Sequence, residues 1–577
     1  MITGYPRFFI HKSIQALSAD ILAKYSHAGQ DATLFPTANI AQRCVDFIRN
    51  KAPAGSALDQ VSVLRLVLDP AKEFTEAVES VKPSIAAAIF PKELFPVAKQ
   101  YWQHSGDGVS SRRAEFCHRL FRDGLLVPDN RSPSPRSPRS PQYQKMRRGP
   151  RRYQRGASVD EKNGTNGYSQ GVEEDSPEAR ELADSVERSR FLEERFGRNL
   201  DVSFVENAKS AIRRRIAGVL TTDLDLNSKS LPAMDSNARG VSNLQEHDIY
   251  LTSCGMNAIF TIHQALLKAR TPQKSIEFGF PYVDTLKILQ KFGPGAIFYG
   301  YGSTADLDDL EKHLAAGEKF LAFFCEFPGN PLLTCPDLAR VRRLADTYDF
   351  AVVVDETIGS FVNVNVMPYA DVVVSSLTKI FSGDCNVMGG SLILNPGGRY
   401  YAALKEALSP GSGVFEAEAY WAEDVLFMER NSRDFAGRIE RINANAAAIA
   451  SALQSHPLVT RVYYPACNDA DSRRNYDACR LPRGGYGGLL SFTMVSEAHA
   501  VAFYDALETA KGPSLGTNFT LTSPYVILAH YQELDWAASF GVEPHLLRVS
   551  VGLEDNLVEI FAKAFKAAEA IPVLNSQ

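Results

Sequence analysis

Two short apolar runs near the middle of the chain end in residues able to do chemistry. Val352-Val353-Val354 runs into Asp355, and Val372-Val373-Val374 runs into Ser376, Thr378 and Lys379. Unbroken β-branched runs mark strands buried on both faces of a parallel sheet. In open α/β sheets, ligands bind at the carboxyl ends of such strands. An amine and a carboxylate delivered there together suggest pyridoxal phosphate (PLP). The lysine would form the Schiff base and the acid would hold the pyridinium proton. Taken alone, this stretch is equally well explained by an ordinary doubly wound sheet with polar strand ends.

Two more segments point to the same edge. Tyr250-Leu251-Thr252-Ser253-Cys254-Gly255-Met256-Asn257 reads as a strand, a glycine turn and a helix start. That arrangement aims free backbone N–H groups at an anion, and a phosphate suits it. Glu326-Phe327-Pro328-Gly329-Asn330-Pro331 ends another strand in a tight turn that presents Asn330.

The elements that must position these residues follow from periodicity. Residues 1–127 read as a mixed α/β domain. Phe8-Phe9-Ile10 and Val61–Leu68 are strand candidates, and helical spacing covers Ser13–Tyr25, Ala41–Ile48 and Pro91–Trp102. Ser110 opens a further helix, whose Arg112-Arg113 pair reads as a solvated basic face. Residues 128–178, with their basic Ser-Pro repeats from Arg131 to Pro141, lack the apolar content to offset ordering entropy and are expected to be a disordered linker. Phosphorylation or RNA contact is conceivable there, but a tolerated surface insertion is the favoured reading. Residues 179–400 start helical (Leu182–Arg195) and then alternate strand and helix from Ile249–Thr252 to Gly390–Leu394. This is the pattern of a large domain with a mostly parallel sheet. Residues 401–577 hold a long Ala-rich helix ending at Leu453, then strands and helices of a smaller α+β domain.

The totals exclude several classes. The chain has 577 residues, too many for one core. Lys plus Arg number 62 and Asp plus Glu 67, a net charge of −5 that points to neither nucleic acid nor membrane. Eight scattered cysteines show no zinc spacing, so no metal site is expected, and they read as reduced thiols. No apolar run reaches the length of a membrane span and the start does not read as a signal peptide. A cytoplasmic chain is expected, with nuclear presence left open.

The motifs, in this order and spacing, resemble the γ-family of PLP-dependent enzymes of cysteine and methionine metabolism. Ser376-Leu377-Thr378-Lys379 followed by Met388-Gly389-Gly390-Ser391-Leu392 carries the resemblance, which runs from roughly residue 190 to 560. The Gly4-Tyr5-Pro6-Arg7 and Ala114-Glu115-Phe116-Cys117 segments resemble the fungal branch, which has an extra N-terminal domain. The resemblance implies a fold-type I transferase. Lys379 would be the Schiff-base lysine and proton shuttle, and Asp355 the partner of the pyridine nitrogen. Tyr282 would stack on the ring and help deprotonate the substrate amine. The Gly255 and Met256 amides, with the Ser376 and Thr378 hydroxyls and Arg195, would hold the phosphate. Asn330 would meet the ring 3-oxygen, Arg548 would clamp the substrate carboxylate, and Ser514 would line the same pocket. For Arg548 a surface salt bridge is the competing reading; His263 and His530 are given no role.

The sequence departs from the family pattern at three places. The Tyr-x-Arg arm reads Glu193-Glu194-Arg195, Gly383 is followed by Asp384-Cys385-Asn386, and Lys287 stands where many relatives have arginine. The implied reaction is γ-replacement on an O-acylhomoserine, O-succinyl or O-acetyl, with cysteine giving cystathionine. A sulfhydrylase, a lyase or another nucleophile would use the same residues. The implied partners are small amino-acid substrates and further copies of the chain, as a homodimer or homotetramer. An interaction scaffold built on the basic linker is the non-enzymatic alternative.

Overall fold

The computed structural model describes residues 9–129, 204–220, 237 and 239–572. The linker from residue 130 on, the helix expected at Leu182–Arg195 and Arg195 itself lie outside the described residues.

The N-terminal region is built on a four-stranded antiparallel sheet. Its strands are β1 (Gln30–Phe35), β2 (Ser62–Leu68), β3 (Ser84–Pro91) and β4 (Leu126–Pro128), in the order β1-β3-β2-β4. Three of its four helix readings begin within three residues of the observed Lys12–Tyr25, Ala38–Lys51 and Ser111–Arg122; the fourth, read from Pro91, is a helix from Phe95 to Ser105. The helix Ala38–Lys51 shows why: the Thr37 hydroxyl caps its start by accepting from the Ile40 amide, and Ile40, Cys44, Val45 and Ile48 form one buried stripe. Of the strand expected at residues 8–10, residue 8 lies outside the described residues, and residues 9 and 10 are not in a strand. Phe9 is exposed, Ile10 has no strand partner, and the His11 ring instead caps the helix Lys12–Tyr25. Strand β3 escaped the sequence reading because its centre, Ala86-Ala87-Ala88, has weak strand propensity. All three alanines are buried.

The second sheet has seven strands: β5 (Ile249–Thr252), β6 (Ser275–Phe278), β7 (Ala296–Tyr299), β8 (Ala322–Glu326), β9 (Ala351–Asp355), β10 (Val372–Ser375) and β11 (Gly390–Leu394). Their order is β5-β11-β10-β9-β8-β6-β7, with only β11 antiparallel to its neighbours. Strands β9 and β10 are buried through their valines, as expected of an interior parallel pair. A third sheet, of β12 (Val459–Tyr463), β13 (Leu489–Met494), β14 (Ala510–Lys511), β15 (Leu521–Pro524) and β16 (Leu547–Ser550), packs against the long helix Phe435–Gln454.

One apolar core runs from the N-terminal sheet into the seven-stranded sheet. Phe35, Phe90 and Tyr101 share it with Ile259, Phe260, Leu289 and Val353. The Tyr101 and Phe260 rings meet edge to face at 6.0 Å, and Phe47 stacks on Phe292 at 5.0 Å. The Arg112-Arg113 pair is correspondingly not a solvated face. Arg113 is 2% exposed and donates to the carbonyls of Pro36, Ser84 and Glu418. Arg112 bonds Asp424 at 2.9 Å and the Asn386 carbonyl at 2.7 Å. Buried charge must find partners, and here Glu418, Asp424 and Asn386 supply some of them from across the junction between the two parts.

Candidate active site

The carboxyl ends of β5, β8, β9 and β10 face one cavity of about 240 Å³. Gly255, Met256, Tyr282, Asn330, Asp355, Ser376, Thr378, Lys379, Ser514 and Arg548 all line it. They come from separated stretches of chain.

The first wall is the turn after β5. The helix Gly255–Ala269 opens there with Cys254 at its cap position and no side chain capping it, so its first amides face the cavity. Gly255 packs flush against β10, because a Cβ on it would stand 2.5 Å from the Ser376 Cβ. No other residue fits without moving one of the two elements.

The second wall is the β9–β10 edge. Asp355 Oδ1 accepts from the Thr357 amide at 2.9 Å, an Asx-type turn rather than a helix cap. The Thr357 hydroxyl accepts from the Ser376 amide at 2.8 Å, stitching the two strand ends together. Burial pushes the Asp355 carboxyl above its ordinary range, against the pull of the Thr357 hydrogen bonds. Thr378 is held by Gly389: its hydroxyl donates to the carbonyl at 3.2 Å and accepts from the amide at 3.1 Å. To donate to a phosphate, that hydroxyl would have to turn from the carbonyl.

The third wall comes from the C-terminal sheet. Lys379 Nζ donates to the Ser514 hydroxyl at 3.1 Å, and the Ser514 carbonyl accepts from Arg548 Nη2 at 2.9 Å. Arg548 also donates to the Pro513 carbonyl and, at 2.9 Å, to Asn330 Oδ1. It is 2% exposed, so the surface salt-bridge reading of this residue does not hold. Asn330 donates to the Tyr525 hydroxyl at 3.1 Å, which occupies one of its two amide protons.

Several participants were missed from sequence. The Glu326 carboxylate accepts from the Tyr282 amide and sits beside Asp355 and Glu277, the ends and near-end of three neighbouring strands. Burial, reinforced by Asp355, lifts Glu326 well above its ordinary range. The Tyr525 ring lies under the Arg548 guanidinium at 4.3 Å. Gly516, with φ +71°, lets the chain pass so near that a Cβ would be 2.8 Å from the Lys379 Cβ. His530 was set aside as an isolated histidine, yet it lines the cavity and packs on Phe280 and Tyr525 at 5.3 and 5.6 Å. Glu326 stood in view within its Pro/Gly turn. The roles of Tyr525 and His530 depend on long-range packing that no local pattern announces. His263, by contrast, is a buried packing residue whose pKa burial lowers to about 4.

The donor set fits PLP: an amine, a buried carboxylate, and helix amides at a glycine that only close packing explains. Residues 236–566 match the model of the Cys/Met metabolism PLP-dependent enzymes. The chain belongs to this family. Residues 13–110 match the fungal trans-sulfuration enzyme N-terminal domain. The chain is 60% identical to a cystathionine gamma-synthase of Neurospora crassa, over 99% of this chain and 92% of that one. It is 38% identical to a cystathionine gamma-synthase of Saccharomyces cerevisiae, over 98% and 90% of the two chains. Among solved structures, the cystathionine gamma synthase of Xanthomonas oryzae pv. oryzae in complex with cystathionine aligns with TM-score 0.50 and 23% identity, over 64% of this chain and 98% of that one. That likeness gives the fold, fold-type I, for the part of the chain that the PLP family model matches, and the N-terminal domain is additional to it.

Proposed function

We propose that this PLP-dependent enzyme catalyses γ-replacement on an O-acylhomoserine, with cysteine as the incoming thiol and cystathionine as the product. The observation that carries the reading is that one residue, Ser514, holds both Lys379 and Arg548. An amino acid whose carboxylate rests on Arg548 would therefore present its α-carbon beside the Lys379 amine. A planar guanidinium fork suits that carboxylate better than a lysine would. The full-length relatives named as synthases support the choice of substrate and nucleophile.

When bound, PLP supplies an electron sink that makes the α and β protons of the substrate removable. The chain's own groups do the rest. Lys379 would anchor the cofactor and, once displaced by the substrate amine, carry protons at Cα and Cβ. Asp355 would keep the ring nitrogen protonated. Gly255 and Met256 amides and the Ser376 hydroxyl would hold the phosphate, assisted by Thr378 and, from outside the described residues, Arg195. Tyr282 would lie over the ring, and Asn330 would serve the ring oxygen while orienting Arg548.

We infer a homodimer or homotetramer, in which a neighbouring copy's Arg195 completes the phosphate site, and a cytoplasmic location. No helix among the described residues is long and apolar enough to cross a membrane. The domain boundaries we propose are 1–127, 128–178, 179–400 and 401–577. Lys379→Ala should abolish the visible absorbance of the lysine-linked cofactor and lower turnover to background. A variant retaining turnover would contradict the assignment.

A further inference from the structure

In the phosphate turn, the side chains of Ser253, Cys254 and Asn257 reach the N-terminal domain, while Cys254 and Met256 also line the cavity. The Ser253 hydroxyl donates to the Gly106 carbonyl at 3.0 Å, and the Cys254 thiol reaches the same oxygen at 3.7 Å. Asn257 Nδ2 donates to the Ser105 carbonyl at 3.0 Å and to Asp107 Oδ1 at 2.7 Å. The other oxygen of Asp107 accepts from the Tyr101 hydroxyl at 2.6 Å and from Arg43 at 3.1 Å. Arg43 in turn donates to the Gly413 and Val414 carbonyls at 2.8 and 2.9 Å.

These bonds pair the polar groups of the two loops with each other. The carbonyls of Ser105 and Gly106, at the end of the helix Phe95–Ser105, have no further turn of helix to bond to. They accept from the Ser253 and Asn257 side chains, neither of which lines the cavity. The N–H groups at the helix start, at Gly255 and Met256, both of which line the cavity, are what a phosphate needs. The contact is also steric. Gly106 has φ +66°, and a Cβ there would lie 2.7 Å from the Cys254 Sγ and 2.8 Å from the Asn257 amide nitrogen. The N-terminal loop is moulded on the turn.

We infer that Asp107 and Asn257 are positioning residues for the cofactor phosphate, and that the N-terminal domain serves catalysis by bracing the turn Ser253–Asn257 in its anion-binding shape. Neither residue touches the cofactor cavity. The brace acts by fixing the direction of the Gly255 and Met256 amides, and supported donors bind better than mobile ones. The inference rests on the PLP site but not on the choice of nucleophile.

The test is titration of the apo full-length chain with PLP, followed by absorbance, alongside the melting temperature of each apo protein. Wild type, Asn257→Ala, Asp107→Asn and Arg113→Lys are compared. Arg113 joins the same two domains, donating to Pro36 and Ser84 in its own domain and to Glu418 and Ala419 across the junction rather than to the turn, so its variant controls for loss of domain docking. Binding by wild type checks the site itself; the ratios check the brace. The PLP dissociation constant should rise about tenfold or more in Asn257→Ala and Asp107→Asn, the scale expected for a misdirected hydrogen bond to a charged group. It should stay within about twofold of wild type in Arg113→Lys, even if all three variants melt lower. Unchanged affinity in the two turn variants overturns the inference. So does an equal loss in Arg113→Lys, or failure of both turn variants to fold, since each would make the contact one of general stability.

Discussion

Three carboxyl groups, Glu277, Glu326 and Asp355, crowd the ends of β6, β8 and β9, and burial pushes all three above their ordinary range. For Glu277 the neighbouring Glu326 and Asp355 charges push the same way after burial. A carboxyl raised in the native state holds its proton better folded than unfolded. Its stabilising contribution is therefore full below the unfolded pKa, about 4.3 for glutamate, and is lost as pH rises through the native value. Glu277→Gln removes that dependence without changing shape. The apo variant should out-melt the apo wild type by a few degrees at pH 8, with the gap narrowing toward pH 5; a gap independent of pH would show that Glu277 is not strained. Asp355 differs, since the same burial that raises it makes a protonated ring nitrogen a strong partner. Asp355→Asn should lower kcat/KM by about 10²–10³-fold in PLP-saturated protein. The types of these residues were legible in the sequence. The valine runs placed Asp355 at one sheet edge with Lys379, but nothing local placed Glu277 and Glu326 beside it.

At the scale of elements, strand-end chemistry was readable because hydrophobic runs are local. The β9–β10 edge, the glycine turn before the helix Gly255–Ala269 and the Asn330 turn all follow from patterns within about ten residues. Of the third wall, Ser514 and Arg548 came from the family resemblance and Tyr525 and His530 were not foreseen, because the four come together only through the C-terminal sheet. Arginines 112 and 113 misled for the same reason: a basic pair at a helix start reads as solvated until its carboxylate and carbonyl partners arrive from elsewhere. Gly516 is where the close approach can be tested. Its positive φ and the nearness of the Ile380 amide nitrogen, 2.5 Å from where a Cβ would stand, leave no room for a methyl group. Gly516→Ala should destabilise the protein by about 1–3 kcal/mol and weaken PLP binding by displacing Lys379. Unchanged melting and affinity would mean that the loop yields freely.

At the scale of the whole molecule, the N-terminal domain is part of the catalytic core's packing. Its Phe35, Phe90 and Tyr101 share one cluster with Ile259, Phe260 and Leu289. A fragment beginning at residue 202 would expose that apolar face and should aggregate or bind hydrophobic dyes. The full chain should instead show the N-terminal domain and the PLP site melting together in calorimetry. A soluble, PLP-binding fragment would contradict this. The central claim is the reaction itself. The most direct measurement is to give the PLP-loaded protein O-succinyl- or O-acetylhomoserine with cysteine and, separately, with sulfide, and to identify the products by mass spectrometry. Cystathionine from the cysteine reaction, in clear excess over homocysteine from the sulfide reaction, is the predicted result. Homocysteine alone, or only 2-oxobutyrate in both reactions, would contradict it.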